Sequence, residues 1–191
     1  MSILAVDEAA TSRKMIARLR ALHPFPMPVV DVTFGQGNFW VPGDDVIGVD
    51  ANTNADIKAR WENLPFKTGS IGTIVFDPPH TADDGKQAWK DAYGQTTAMG
   101  NIEEALIEFR RVLQTEGLLL TKTADMIHSQ RASWLTWRVM DAARSAGFRL
   151  EDWLIGYRRS IGHPDVWKTQ RHARKNHSHW QLWVPTEAKL W

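Results

Sequence analysis

A short strand-like run in this sequence stops on four residues that could bind a ligand. The apolar run 74–76 is followed directly by Asp77, Pro78, Pro79 and His80. Two consecutive prolines lack N–H donors and cannot continue a central strand. The Asp77 carboxylate accepts hydrogen bonds, the proline ring fixes the direction of the Pro78 carbonyl, and the His80 ring offers a flat stacking surface. The segment predicts either a site that holds a hydrogen-bond donor against an aromatic ring, or an ordinary turn capped by Asp77.

A glycine-bearing turn comes earlier in the chain, again after a strand-like run. Asp31 is followed by Gly35 and Gly37, and glycine lets a backbone approach a ligand closely or adopt positive φ. Asp50 lies 13 residues after Gly37 at the end of a second such run, where an acid commonly accepts hydrogen bonds from ribose hydroxyls. Trp40 occupies the position of the last glycine in the G-x-G-x-x-G dinucleotide pattern. The spacing therefore disfavours a nicotinamide cofactor but not another nucleoside cofactor.

The stretch between Tyr157 and His179 is basic, with six Lys or Arg residues, four histidines and one acid. Basic residues interleaved with aromatics are typical of a nucleic-acid surface, and a solvated strand pair is the alternative. Three histidines have the spacing H-x4-H-x-H, but no acid or cysteine accompanies them, so we predict no metal site. On a nucleic-acid surface, Arg171, Arg174 and Lys175 would contact phosphates, and Lys122 would approach the same substrate cleft unless it is a solvated strand end.

Composition limits the kind of protein further. The chain has 191 residues, a net charge of +1 and no cysteine, which excludes a disulfide scaffold or thiolate zinc site and fits a reducing compartment. The first residues include acids where a signal peptide needs an apolar core, and nowhere do about 18 apolar residues run together. We therefore expect one soluble, cytoplasmic domain over residues 1–191, with no membrane span.

Alternating strand-like and helical runs predict the fold. The spacing of apolar residues predicts helices over 9–22, 101–117 and 133–147, the last two closed by Gly117 and Gly147. We predict strands over 29–34, 46–50, 56–61, 72–77 and 118–124, and an antiparallel pair in "FRLEDWLIGYRR" and "HWQLWVP". This order is typical of an α/β fold: a mostly parallel seven-stranded sheet with helices on both faces and an antiparallel C-terminal hairpin. Residues 1–28 form a helix and a proline-rich lead-in, and the polar segment 81–100 is predicted to be a mobile loop.

The order "DVTFGQG", "IGVD", "LPF" and "IVFDPPH" resembles the class I S-adenosylmethionine-dependent methyltransferases, which have a Rossmann-like fold. The Asp-Pro-Pro-aromatic segment is similar to that of amino-methyltransferases acting on exocyclic nitrogens of nucleic-acid bases. The resemblance covers about Val29 to Val184. It implies S-adenosyl-L-methionine as cofactor and a nucleic-acid substrate, with DNA adenine N6 or cytosine N4 favoured over RNA. Asn176 and His177 belong to a polar cluster before the last strand that resembles one in nucleic-acid base methyltransferases, and this resemblance implies that they face the base.

The resemblance also implies roles for individual residues near the cofactor. Family members often carry an acid a few residues before "LPF", and this chain has Arg-Trp-Glu-Asn at 60–63. The implied cofactor residues are Asp31, Thr33, Phe34, Gly35 and Gly37 around the methionine part, Asp50 at the ribose, and Trp61 or Asn63 at the adenine.

For catalysis, the resemblance implies Asp77, Pro78, Pro79 and His80. An exocyclic amine is a poor nucleophile because its lone pair is delocalised into the ring. Hydrogen bonds to the Asp77 carboxylate and the Pro78 carbonyl would localise that pair, and the carboxylate would stabilise the positive charge that develops on nitrogen. Because His80 would stack on the base, we expect activity to fall at mildly acidic pH, where its ring is protonated.

No separate target-recognition domain fits in this chain. Sequence specificity would then come from loops, from a homodimer or from a partner protein, and the segment 81–100 could close over a base flipped out of a duplex. The alternatives are methylation of an RNA base, methylation of a protein glutamine, and a module that binds the cofactor without catalysis. The presence of Asp77 favours catalysis over the last of these.

Overall fold

The computed structural model describes residues 5–8, 11–51, 54–79, 102–128, 131–157 and 176–186, so the segment 81–100 lies outside the described residues. In chain order the helices and strands are β1 (Val6–Glu8), α1 (Ser12–Leu22), β2 (Val29–Asp31), β3 (Ile47–Asp50), β4 (Ile57–Lys58), β5 (Ile71–Phe76), α2 (Ile102–Val112), β6 (Leu113–Thr123), β7 (Met126–His128), β8 (Arg131–Ser133), α3 (Leu135–Ser145), β9 (Phe148–Tyr157) and β10 (His177–Pro185). Among these helices none is long and apolar enough to cross a membrane.

Eight strands form one sheet in the order β1-β9-β10-β6-β5-β2-β3-β4. Neighbouring strands are parallel except at β10, which runs antiparallel to both β6 and β9. The predicted fold class, a mostly parallel sheet with an antiparallel C-terminal hairpin, is confirmed. The predicted count of seven strands was one too low, because Val6–Glu8 adds an edge strand beside β9.

Strand order reverses at β2. The chain leaves β2 for β3 and β4 on one side and returns through β5 on the other side. Ligands of open α/β sheets bind beyond the carboxyl ends of the strands at such a switch point. Asp31 ends β2, Asp50 ends β3, and Asp77 directly follows β5, so three carboxylates are brought to this edge.

Two apolar layers cover the faces of the sheet, and this confirms the prediction of helices on both faces. On one face, α2 and α3 pack over a core that includes Phe76, Leu106, Phe109, Val139 and Trp183. On the other face, α1 packs over a core that includes Met15, Leu19, Val75, Leu120 and Trp180. The helix α1 begins after Thr11, whose side chain accepts a hydrogen bond from the backbone N–H of Lys14 as an N-cap.

The boundary between α2 and β6 differs from the prediction. The helix ends at Val112, not at Gly117, and β6 begins with the next residue. A Cβ on Gly117 would lie 2.8 Å from the Leu113 side chain and 2.9 Å from the carbonyl oxygen of Gly72. Gly117 therefore permits close packing inside a strand and does not end a helix. Gly147, with φ of +87°, follows α3 as a helix-ending glycine, as predicted.

The strands β7 and β8 were not predicted from the sequence. They pair antiparallel as a separate two-stranded sheet between β6 and α3. Each has only three residues, which is too short for a periodicity of two to stand out.

Candidate active site

The Asp-Pro-Pro segment leaves the sheet at the end of β5, whose six residues are all buried. The backbone N–H of Asp77 donates a hydrogen bond to Oγ1 of Thr33 at 2.8 Å, which ties this segment to the turn after β2. The Nζ of Lys122, near the end of β6, donates to Oδ2 of Asp77 at 2.8 Å. Backbone and side chain of Asp77 are thus held by the two neighbouring strands.

The turn after β2 is built around glycine and one aromatic ring. Gly35 and Gly37 have φ of +55° and +67°, in the left-handed region that favours glycine. The backbone N–H of Gly35 donates to Oδ2 of Asp50 at 3.0 Å, which links this turn to the end of β3. The Phe34 ring packs so closely that a Cβ on Gly37 or Gly48 would lie 2.9 Å or 2.6 Å from it. The glycine of "IGVD" therefore makes room for Phe34.

Asp31 lies buried beneath this turn. Its carboxylate accepts hydrogen bonds from the Thr33 backbone N–H at 3.0 Å, the Thr33 hydroxyl at 3.3 Å and the Trp40 indole N–H at 2.8 Å. Burial raises the pKa of Asp31 from 3.8 to about 6; the hydrogen bonds from Trp40 and Thr33 oppose this rise, and the charge of Asp77 adds to it. Asp31 is therefore ionised at neutral pH and becomes protonated in mild acid.

A cavity of about 520 Å³ opens at this edge of the sheet. Its volume lies within the range of roughly 300–1,000 Å³ that is usual for small-molecule sites. The predicted site residues that line it are Asp31, Thr33, Phe34, Gly35, Asp50, Trp61, Asp77, Pro78, Pro79 and Lys122. The structure therefore brings the predicted cofactor turn, the ribose acid and the Asp-Pro-Pro segment to one cavity.

Four other predicted residues are described but do not line the cavity. Gly37 supports the turn through its contact with Phe34. The backbone N–H of Asn63 donates to the carbonyl of Arg60 at 3.1 Å and closes a turn. His177 begins β10, and Asn176 directly precedes it. His80, Arg171, Arg174 and Lys175 lie outside the described residues.

The cavity wall also contains Glu62, which was not predicted from the sequence. Its carboxylate accepts hydrogen bonds from Nε and Nη2 of Arg60 at 3.2 Å and 2.9 Å. The sequence did contain a signal for Glu62, because it is an acid two residues before the "LPF" segment. Beside it, Trp61 packs edge-on against Phe76 with ring centroids 5.6 Å apart, and within the described residues its buried indole N–H has no hydrogen-bond partner.

The helix α2 anchors this wall of the cavity. The carboxylate of Glu108 accepts a hydrogen bond from the backbone N–H of Leu64 at 2.8 Å. The guanidinium of Arg111 donates to the carbonyls of Leu64 and Phe66 at 3.2 Å and 3.0 Å and also binds Glu108 at 2.6 Å. Hydrogen bonding to Arg111 lowers the pKa of Glu108, so the carboxylate stays ionised. This network fixes the segment that carries Trp61 and Glu62.

Lys122 lies in the wall of the cavity and not at a solvated strand end. Its side chain is 18% exposed, and its Nζ lies 5.0 Å from the centroid of the Phe39 ring and 5.6 Å from that of Trp180. The two rings contact each other, with centroids 5.6 Å apart. Phe39 also lines the cavity and was not predicted, because it lies in an irregular loop with no sequence pattern.

In the part of the chain that the structure describes, no group of three or more His, Cys, Asp or Glu residues could hold a metal ion. The Nε2 of His179, one of the three histidines singled out in the sequence, lies 3.9 Å from Oδ2 of Asp125. Its Nδ1 accepts a hydrogen bond from the Trp153 indole at 3.1 Å.

Several solved structures share this fold, although no protein-family model and no curated protein sequence matches the chain. One is the [4+2]-cyclase SpnF, with a TM-score of 0.57 and 12% identity over 92% of this chain and 81% of that one. Another is the 1,6-didemethyltoxoflavin-N1-methyltransferase of Burkholderia thailandensis, solved with 1,6-didemethyltoxoflavin and S-adenosylhomocysteine, with a TM-score of 0.56 and 14% identity over 95% and 80% of the two chains.

A third similar structure is a candidate DNA modification methylase of Thermus thermophilus, with a TM-score of 0.46 and 14% identity over 65% of this chain. This chain spans about half of that protein, 48% of its length. At these identities the comparisons establish the fold alone. Because a cyclase and a methyltransferase both have it, the chemistry must be argued from the cavity.

Proposed function

We propose that this protein is an S-adenosylmethionine-dependent methyltransferase that methylates the exocyclic amine of a nucleic-acid base. The observation that carries the proposal is the convergence of Gly35, Asp50 and Asp77 on one cavity. They provide an open backbone turn, an acid at the ribose position and an acceptor for an amine. A structural turn at Asp77 alone would not require the other two to face the same space.

The residues present fit the proposed cofactor. Asp50 is 7% exposed and lines the cavity, and its carboxylate, which accepts a hydrogen bond from the Gly35 backbone N–H, is the kind of acceptor that ribose hydroxyls require. Asp31, ionised at neutral pH, would attract the ammonium group of the methionine part. Glu62 and Trp61 would provide an acceptor and a flat wall for the adenine. A Burkholderia thailandensis methyltransferase of this fold was solved with S-adenosylhomocysteine, which supports this choice of cofactor.

When bound, the cofactor supplies an electrophilic methyl group, and the protein must orient the amine toward it. In our proposal, the two N–H groups of the amine donate to the Asp77 carboxylate and the Pro78 carbonyl. Pro78 is well suited because its ring fixes the backbone near φ of about −65°. Thr33 and Lys122 keep Asp77 in place, and the carboxylate stabilises the positive charge that develops on the amine nitrogen.

DNA is the proposed substrate, with adenine N6 or cytosine N4 as the target and RNA as the nearest alternative. The basic stretch that ends at His179 favours a polyanionic substrate over a protein glutamine. A homodimer or a partner protein would contribute to sequence specificity. A small heterocyclic amine is the second candidate, because 1,6-didemethyltoxoflavin is bound in a structure of the same fold.

The test is to incubate the protein with methyl-labelled S-adenosylmethionine and DNA, RNA or protein, and then to digest the labelled acceptor. Label in N6-methyladenine or N4-methylcytosine is the expected result. Label found only in protein, or only in small heterocycles, would contradict a nucleic-acid substrate and identify that class of acceptor as the substrate. Cofactor binding without transfer to any of these acceptors would favour the non-catalytic module.

A further inference from the structure

The ion pair between Lys122 and Asp77 holds the Asp77 carboxylate in place, but a cation at this position is not what the binding of an amine requires. An amine donates hydrogen bonds, so its site needs acceptors, and a cation beside the acceptor competes for the same lone pairs. Yet Nζ of Lys122 lies 2.8 Å from Oδ2 of Asp77, and both side chains are about four-fifths buried, with exposures of 18% and 21%. Taking two charges out of water to this extent carries a cost of desolvation, which their mutual attraction offsets only with good geometry.

The surroundings of Lys122 fix the position of its ammonium group. Lys122 on β6 lies directly opposite Trp180 on β10, and Nζ sits over the faces of Trp180 and Phe39. The Trp180 indole N–H donates to Oγ of Ser178 at 3.0 Å, which orients that ring. Two rings and one carboxylate therefore hold Nζ at the cavity wall.

The ammonium group has donors beyond the one that Asp77 uses. A lysine carries three N–H donors and no acceptor, and aromatic faces attract the charge without taking up a directed lone pair. The hydrogen bond to Asp77 is the one that the described residues show for Nζ, and Lys122 lines the cavity. A ligand that reaches Asp77 therefore meets a donor and an acceptor side by side, 2.8 Å apart.

We propose that Lys122 and Asp77 together recognise an amidine edge, in which an amino group is bonded to the same carbon as a ring nitrogen with a lone pair. Asp77 accepts a hydrogen bond from the amine, and Lys122 donates one to the ring nitrogen. This inference rests on the proposed function and narrows it. Lys122 is the specificity-determining residue.

This pairing selects a chemical class of substrate. Adenine has N1 beside its N6 amine and cytosine has N3 beside its N4 amine, and both ring nitrogens are acceptors on the Watson–Crick edge. An aliphatic amine has no such acceptor and would leave the Lys122 donor unsatisfied. Reading this edge also requires an unpaired base, from a single strand or flipped out of a duplex.

The experiment compares oligonucleotides that carry one target base with analogues that lack the neighbouring ring nitrogen. These are adenine against 1-deazaadenine and cytosine against 3-deazacytosine, tested with the wild type and with Lys122→Met, which keeps an apolar stem between the rings. We expect the wild type to lose about tenfold in kcat/KM or more on deletion of the ring nitrogen, the loss of one hydrogen bond to a charged donor. Lys122→Met should be slow with both bases and almost insensitive to the deletion. Deletion of the ring nitrogen also changes the reactivity of the amine. The decisive quantity is therefore the coupling free energy between this deletion in the substrate and the Lys122→Met substitution in the protein.

Two further variants control this comparison. Lys122→Arg keeps a donor and should retain part of the discrimination between a base and its analogue. Lys67→Met removes an exposed lysine that does not line the cavity and should match the wild type. Melting temperature and cofactor affinity should be unchanged in Lys67→Met, and cofactor affinity should change less than about twofold in Lys122→Met.

The possible outcomes distinguish the proposed role of Lys122 from the proposed methylation of a base. Equal rates of the wild type on a base and its analogue, or full discrimination retained in Lys122→Met, would overturn the role of Lys122 and leave base methylation standing. Absence of methyl transfer to any base by the wild type would overturn base methylation and this inference with it. If Lys122→Met does not fold, the same coupling is measured with Lys122→Arg, and a loss on deletion of the ring nitrogen equal to that of the wild type would overturn the role of Lys122.

Discussion

The indole N–H of Trp40 donates a hydrogen bond to Oδ2 of Asp31 across 2.8 Å, in the interior beneath the glycine turn. Asp31 is 2% exposed and Trp40 5% exposed. In the sequence, Trp40 was informative only because it replaces a glycine of the dinucleotide pattern. In the structure it stabilises a buried carboxylate, and a donor to a carboxylate favours its ionised form. Trp40 therefore lowers the pKa of Asp31 and favours a negative charge at the floor of the cavity.

Removal of the Trp40 donor should destabilise the protein in a pH-dependent way. In Trp40→Phe the pKa of Asp31 should rise above its value of about 6, because the hydrogen bond that lowers it is lost. The free energy of unfolding should fall by about 1.5–3 kcal/mol near pH 8, and by less near pH 5, where the carboxyl is protonated. Urea denaturation at both pH values measures this.

Trp137→Phe is the matched control for that experiment. Trp137 is 70% exposed on α3, and its substitution should change stability by less than about 0.5 kcal/mol at either pH. Equal destabilisation of Trp40→Phe at both pH values would mean that lost packing, and not the hydrogen bond, accounts for the effect.

Asp31 should also reduce the stability of the wild type as pH rises. Its pKa in the folded protein, about 6, lies above the ordinary value of 3.8, so the folded state binds a proton more tightly than the unfolded state. The resulting stabilisation is complete below about pH 3.8 and is lost as pH rises through about 6. A shift of roughly two units corresponds to about 3 kcal/mol.

This contribution can be isolated with Asp31→Asn, which cannot titrate. The difference in unfolding free energy between wild type and variant should change by about 2–3 kcal/mol between about pH 4 and pH 7, in the direction that favours the variant at higher pH. Parallel stability curves would contradict the raised pKa. The comparison of slopes is unaffected by a constant cost of the substitution itself.

Cofactor affinity should decrease in mild acid. Because ionised Asp31 would attract the cationic methionine part of the cofactor, the dissociation constant should rise by up to about tenfold per pH unit below about pH 6. Isothermal titration calorimetry measures this directly. The experiment also separates the effect of protonating Asp31 from that of protonating His80, which was predicted to lower activity over the same pH range. Asp31→Asn should remove the pH dependence of binding and leave any contribution of His80 to turnover.

Asp77→Asn should abolish most of the methyl transfer and leave cofactor binding nearly intact. The substitution keeps the shape of the side chain but removes the charge that would stabilise the reacting amine, so kcat should fall by about a hundredfold or more. The cofactor dissociation constant should change by less than about twofold. Asp141→Asn, on the exposed side of α3, is the matched control. Loss of both binding and turnover would identify Asp77 as a structural residue.

Gly48→Ala should disturb the glycine turn after β2 through the ring of Phe34. The new Cβ would lie 2.6 Å from the Phe34 ring, so the ring must move and the turn with it. We expect a loss of about 1–3 kcal/mol in stability and about tenfold in cofactor affinity. Phe34→Leu in the same protein should restore part of the stability. Gly43→Ala, with no atom within 4 Å but φ of +93°, measures the backbone cost alone.

The sequence predicted the parts of the site that depend on strand order. Asp31 and Asp50 end parallel strands and Asp77 directly follows one, and the carboxyl ends of neighbouring parallel strands meet at one edge. Gly117 was misread because its polar neighbours look like the end of a helix, whereas β6 pairs with β5 on both sides of it, at Leu113 and again from Leu118, with a register shift between the two. Local pattern could not outweigh that long-range pairing.

The partners of Lys122 could not be predicted for the same physical reason. Its contact with Trp180 depends on which strands flank β10, and no local pattern encodes this choice. Phe39 reaches Lys122 from an irregular loop. The sequence alone suggested that Lys122 places a cation near a cleft. The side chains that hold its ammonium group are known only from the assembled sheet.

The position of β10 between β6 and β9 has a consequence for biosynthesis. Of the described strands it is the last to leave the ribosome, yet it lies between β6 and β9, which are not neighbours in the sheet. A nascent chain that ends before residue 177 would contain Lys122 without the Trp180 ring behind it. Competence for the reaction would then arise late in translation, when the missing strand inserts between its two neighbours.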